Sequence, residues 1–184
     1  MRLEPSDELK WVHRTTGEDN IFQATAKGQA ISYLEEEVRP VGRSAGGVRG
    51  INLRVGDEVV SMDVIRADIS MQPDLLNVLE NGFGKRTNFD YFRTQHRSGL
   101  GLKCANVTPR TGDVVGVEVV YDDTGDALLI SKQGVVIRTP VKQIRKLGRD
   151  TQGVTLMRLD KGDAVASIAI LEQESDPLNI ESSP

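Results

Sequence analysis

Apolar residues recur at alternate positions in short runs, as in "GDEVVSMDVI", "GDVVGVEVV" and "GDAVASIAIL", and each run opens on a Gly-Asp pair. Period-two alternation rich in Val, Ile and Thr and bounded by Gly and Asp predicts half-buried β-strands joined by tight turns. The stretch "DALLISKQGVVIRTP" reads as a hairpin turning at "SKQG". "GVTLMRLDKGDAVASIAIL" reads as a second hairpin turning at "DKGD". The predicted class is all-β.

The runs are arranged in repeats. Gly28, Gly82 and Gly134 each close a turn, and they stand 54 and 52 residues apart. Fourteen residues after each comes a pair ending in arginine: Gly42-Arg43, His96-Arg97 and Gly148-Arg149. Four residues further on lies a glycine followed by Val or Leu, at Gly47, Gly101 and Gly153, and then the Gly-Asp turns at Gly56, Gly112 and Gly162. About four strands in ~50 residues is the signature of a propeller blade, which buries its faces only by stacking on neighbours. The predicted repeats span 20–72, 73–125 and 126–171, with 1–19 as the end of a preceding repeat and 172–184 as a short acidic tail. "PSDELKWV" aligns with "VGDEVVSM", so the sequence is expected to begin inside the closing hairpin of an earlier blade and to be the downstream part of something larger.

Composition adds bounds. Of 184 residues, 38% are hydrophobic and only 4% aromatic, so the core must be built from Val, Ile and Leu. No apolar run is long enough to span a membrane, and the charged start "MRLEPSDELK" is not a signal peptide. The single cysteine, Cys104, excludes an internal disulfide framework and fits a reducing, cytoplasmic setting. The net charge of −4 hides a gradient, because residues 83–158 hold thirteen basic and seven acidic side chains, whereas 159–184 hold one and six. A local basic surface attracts polyanions whatever the total charge.

The stretches "VRPVGRSAGGVRGINLRVGDEVVSMDVI", "NGFGKRT" and "IRKLGRDTQGV" resemble the last three blades of the C-terminal domain of DNA gyrase A; the corresponding domain of topoisomerase IV is a less close match. The resemblance runs from about Asp7 to Leu171. It implies a β-pinwheel, a propeller-like repeat fold in which neighbouring blades exchange a strand. It also implies a non-catalytic module that bends or wraps double-stranded DNA around a basic rim, in support of ATP-dependent negative supercoiling by a type IIA topoisomerase. ATP, Mg²⁺ and the cleavage tyrosine are then expected elsewhere in the holoenzyme, with no cofactor in this chain. The remainder of gyrase A, its companion gyrase B and DNA are the implied partners, in a cytoplasmic, nucleoid-associated setting without a membrane. The diagnostic gyrase heptad Q-R-R-G-G-K-G is absent, and "GRSAGG" is a degenerate version typical of later blades. Either the blades that carry it are missing or the parent is of the topoisomerase IV type.

The chemistry of the repeated loop supports this reading. Arginine offers a planar fork of donors to phosphate oxygens, and neighbouring glycines let backbone approach a ligand. One such loop per blade places cations at regular steps around a rim, where they can follow a duplex backbone without reading bases. The candidates are Arg43 and Arg49 in the first loop, Arg97 and Lys103 in the second, and Arg149 in the third. Lys85, Arg86, Arg138, Lys142, Arg145 and Lys146 extend the set. The opposing reading pairs the loop arginines with acids of neighbouring blades. Glu35-Glu36-Glu37 should repel DNA locally, so the first blade is expected to contribute least. His13, His96 and Cys104 lack metal-ligand spacing, and an enzyme ranks last. A propeller that docks an acidic protein partner, and an orphan fragment that folds only as an oligomer, remain the alternatives.

Overall fold

Each repeat builds a hairpin around a glycine in the left-handed region, followed by a single 3-10 turn and a returning strand. The computed structural model describes residues 2–3 and 7–171. The first repeat holds β1 (Asn20–Thr25), β2 (Gln29–Leu34) and β3 (Val59–Ile65). The second holds β4 (Asp74–Leu79), β5 (Phe83–Asn88), β6 (Leu102–Lys103) and β7 (Val114–Val120). The third holds β8 (Asp126–Ser131), β9 (Val136–Pro140), β10 (Val154–Thr155) and β11 (Val165–Leu171). The 3-10 turns are Glu35–Glu37, Phe89–Tyr91 and Val141–Gln143.

The sheets do not follow the repeats. Their strand orders are β3-β1-β2-β6, β10-β5-β4-β7 and β11-β8-β9. β6 leaves the second repeat to pair with β2 of the first, with Leu102 opposite Ala30 and Lys103 opposite Gln29. β10 does the same one repeat later, with Val154 opposite Gly84 and Thr155 opposite Phe83. The expected hairpin over 153–171 is therefore corrected: β10 and β11 are strands, but they belong to different blades. Alternation identifies a strand and says nothing about its partner.

Gly101 and Gly153 make the exchange possible. Both have positive φ, and a Cβ on either would lie 2.5 Å from a carbonyl oxygen of the strand it joins, that of Ala30 or of Gly84. After the crossing, the N–H groups of Cys104 and Leu156 donate to the carbonyls of Gly28 and Gly82, both at 2.8 Å.

β7 packs against β3 on one side and β11 on the other; the Val117 N–H on β7 donates to Ser61 Oγ on β3 at 2.7 Å. One apolar core sits between the first two blades, where Phe22 meets the edges of Phe89 and Phe92 at 6.5 and 5.7 Å. A second, centred on Leu76, Leu129 and Val141, joins the second and third blades. Among the described residues before β1 there is no strand, and Glu35 accepts hydrogen bonds from the Thr15 hydroxyl and the Gly17 N–H. The acidic segment 172–184 lies outside the described residues. No helix among the described residues is long and apolar enough to cross a membrane.

Candidate functional site

Strand exchange puts β6 and β10 at the outer edges of their blades, and the basic loops run along those edges. Lys103, on β6, is exposed and donates from Nζ to Asn106 Oδ1 at 2.8 Å. Arg149 donates from Nη1 to the carbonyl oxygen of Lys103 at 3.1 Å and lies 5.9 Å from the ring centre of Phe92. Arg97 donates from Nη1 to the carbonyl of Arg49 at 3.1 Å and from Nε to that of Glu37, also at 3.1 Å. Both arginines are half-buried. Among the described residues neither guanidinium forms an ion pair with a carboxylate; both grip backbone carbonyls, and only Arg97 has a carboxylate, that of Glu37, close enough for its charge to act on.

Glu37 is engaged differently. Its carboxylate accepts the Arg97 N–H at 3.0 Å and lies 3.0 Å from His96 Nδ1. The Arg97 N–H, helped by His96, holds the Glu37 carboxyl below the usual glutamate range. Glu37 is thus committed to shaping the second rim loop and Glu35 to holding the segment before β1, roles the plain charge run did not disclose.

The other candidates separate into three groups. Arg43, Arg49, Lys142 and Arg145 are exposed, and their side chains have no partner among the described residues. Lys146 and Arg138 are also exposed but neutralised, Lys146 by Asp74 at 2.8 Å and Arg138 by Asp126 at 2.5 Å. Lys85 and Arg86 correct the expectation, because both are buried on β5 and cannot face a phosphate.

The reason is the loop that follows the 3-10 turn of the third repeat, which folds over β5. Lys85 is fully buried and donates from Nζ to the carbonyls of Gly148 and Arg149, at 2.6 and 2.5 Å, and to Thr151 Oγ1 at 3.1 Å. Burial pulls the Lys85 ammonium down to about 8. Arg86 donates from Nε to the Ile144 carbonyl at 2.9 Å and from Nη1 to Asp74 and Asp123 at 3.3 and 3.4 Å. These two cations hold the rim loop from beneath.

Cys104 is fully buried, and burial pushes its thiol up to about 12, while His96 is turned to solvent, so they form no nucleophile pair. No group of His, Cys, Asp and Glu among the described residues is placed to hold a metal. Sequence reasoning missed Arg110, whose guanidinium lies 5.3 Å from the ring centre of Phe83. Its only signal was a basic residue in the turn "TPRTG".

The geometry defines a class first: propeller-like blades, the first two each completed by a strand from the next repeat, with a cationic outer edge. The chain belongs to the family described as the DNA gyrase C-terminal domain, β-propeller, whose model matches residues 19–66, 80–120 and 125–172. It is 40% identical over 176 residues to the DNA gyrase A protein of Staphylococcus epidermidis, covering 96% of this chain and 19% of that protein. It is 42% identical over 175 residues to the DNA gyrase A protein of Aminobacterium colombiense, covering 95% and 21%. The chain therefore spans about a fifth of these relatives. A solved gyrase A C-terminal domain superposes with a TM-score of 0.76 at 28% identity, over 84% of this chain and 51% of that one. The C-terminal domain of a DNA topoisomerase IV shares the fold, with a TM-score of 0.83 at 24% identity over 92% and 52%.

Proposed function

We propose that this chain binds duplex DNA through its outer rim and bends or wraps it, as an accessory, non-catalytic part of a gyrase-type DNA topoisomerase in the bacterial cytoplasm. The observation that carries the reading is the row of uncompensated cations along the outer edges. Lys103 and Arg149 are joined across adjacent blades, and Lys142 and Arg145 continue the row on exposed loop positions. Such spacing suits a phosphate backbone and offers nothing to base edges, so the binding is independent of sequence. In the holoenzyme, ATP turnover, Mg²⁺ and strand cleavage belong to other domains and to gyrase B, and the rim orients the DNA segment presented to them.

The test is binding of a linear duplex of about 150 base pairs, the length a protein disc can wrap, across a salt series. With about six phosphates engaged, the log–log slope of affinity against salt is about −5. Replacing Arg43, Lys142 and Arg145 together by alanine removes exposed cations without disturbing internal bonds, and flattens the slope by about 3 if each contacts one phosphate. Weak, salt-insensitive binding that is equal in both proteins would assign the rim to an acidic protein partner instead.

A further inference from the structure

The loops that carry Arg97 and Arg149 are built alike, and the first of them already holds an anionic oxygen. Both arginines stand at the same place of their repeats and donate from Nη1 to a matching carbonyl, that of Arg49 or Lys103, at 3.1 Å. The N–H groups of Asn52 and Asn106 close the two loops in the same way, on the carbonyls of Gly99 and Thr151. In the earlier loop the Arg97 N–H is taken by Glu37 Oε2 at 3.0 Å. That bond is the main reason the Glu37 carboxyl lies below the usual glutamate range, so the position favours a charged oxygen.

The later loop keeps the donor without the carboxylate. Tyr91 ends its 3-10 turn as Glu37 ends the one before, and Gly148 stands in the place of His96. The Arg149 N–H has no partner among the described residues. Tyr91 is 60% exposed, and a Cβ on Gly148 would meet nothing within 4 Å. The position that Glu37 fills in one loop is therefore open to solvent in the next.

Beneath the two loops the charges are exchanged. Ile31, fully buried, supports the earlier loop, its Cδ1 lying 3.4 Å from the Cβ position of Gly99. Lys85 takes the place of Ile31 under the later loop and donates from Nζ to the Gly148 carbonyl at 2.6 Å. That carbonyl and the Arg149 N–H are the two ends of one peptide group. An ammonium bonded to the oxygen polarises the group and strengthens its N–H as a donor. Lys85 is fully buried, so its charge is poorly screened, and it forms no ion pair among the described residues. Asp150, the acid whose charge acts on it, is exposed. One loop thus has a carboxylate above and no cation below, and the other has a cation below and no carboxylate above.

We propose that the Arg149 N–H, backed by the Lys85 ammonium and flanked by the Arg149 guanidinium, is a subsite for one backbone phosphate of duplex DNA. Glu37 fills the equivalent subsite of the earlier loop with the protein's own carboxylate, so neighbouring loops differ in grip. Backbone N–H groups bind phosphate oxygens without reading sequence. The assignment to DNA rests on duplex binding by the rim, and inorganic phosphate probes the subsite without DNA.

In the isotope-labelled full chain, inorganic phosphate should move the Arg149 N–H resonance and leave that of Arg97. Sodium chloride at equal ionic strength should move neither, and duplex DNA should act as phosphate does. Tyr91→Glu supplies the carboxylate that Glu37 supplies one repeat earlier. In that variant the Arg149 N–H should shift without any ligand and cease to respond to phosphate. Its duplex affinity should fall at least about tenfold, the loss of one charge-assisted hydrogen bond. Glu37→Ala should make the Arg97 N–H responsive to phosphate. Glu36→Ala, which removes the same charge from the exposed neighbour, should not. An Arg149 N–H unmoved by both phosphate and duplex would overturn the subsite, as would a Tyr91→Glu chain that binds duplex like the parent. A phosphate response in a chain that binds no duplex would keep the subsite and sink the DNA reading of the rim.

Discussion

Arg149 reaches back one repeat to donate to the carbonyl oxygen of Lys103 at 3.1 Å, so two rim cations of neighbouring blades are held at a fixed separation. Arg97 and Arg49 repeat the relationship one blade earlier, also at 3.1 Å. A residue chosen for its charge thus doubles as a clamp on the exchanged strand. The two roles are separable by substitution.

Arg149→Ala removes the carbonyl bond and the stacking on Phe92, and should lower stability by about 1–2 kcal/mol in urea unfolding. Arg149→Lys keeps a positive charge but not the planar fork. It should recover most of the DNA affinity while remaining destabilised. Equal recovery of both quantities would show that the clamp contributes nothing.

Arg86→Met should separate the buried cations from the rim. Arg86 compensates Asp74, which is itself buried, and removing one partner of a buried pair costs about 3–5 kcal/mol. Lys146 also contacts Asp74 at 2.8 Å, so the loss should fall at the lower end of that range. Where the variant is still folded, its salt slope for DNA should equal that of the parent. A slope shallower by about 1 would mean that Arg86 reaches a phosphate after all.

The same residue shows where sequence reading stops. Fixed spacings of Gly28, Gly82 and Gly134, and of the arginines after them, suffice for the repeats, the all-β class and the family likeness, because turns and strands are local. Which strand pairs with which is not local, and so alternation alone joins β10 to the wrong neighbour. A basic pair after "GFG" looks like an exposed loop, which puts Lys85 and Arg86 on the rim. They are buried because a segment sixty residues later folds over β5 and offers them carbonyls, a fact no window around "GKRT" contains. Arg97 and Arg149 fall between the two readings considered, since they hold neighbouring blades together but through carbonyls in place of acids.

Glu118 provides a pH signature. Burial on β7, with the Asp63 charge adding to it, pushes its carboxyl up to about 7 from an ordinary value of 4.5. The folded protein therefore retains a proton that the unfolded chain has released between those values. Stability from this group is complete below 4.5 and is lost as pH rises toward 7. Glu118→Gln should flatten that decline and stabilise the protein by on the order of 1–2 kcal/mol near pH 8, with little effect near pH 4. Urea midpoints at the two pH values measure this directly, and a gain at the acidic value would contradict it.

Gly153 tests the exchange itself. A methyl group there would lie 2.5 Å from the Gly84 carbonyl, and the +80° φ adds its own strain, so β10 must lift off β5 to admit it. Gly134→Ala is the matched control, because Gly134 has φ +86° but nothing within 4 Å of its Cβ position. The control should lose about 1–2 kcal/mol, the cost of a left-handed alanine. Gly153→Ala should lose at least about 2 kcal/mol more, from the displaced strand and the exposure of Met157 beneath it. Amide exchange gives the mechanism: the Leu156 and Met157 N–H groups, which bond to Gly82, should lose protection in Gly153→Ala and keep it in Gly134→Ala. Equal losses in the two variants would mean that the exchanged strand adds little to the stability of its host blade.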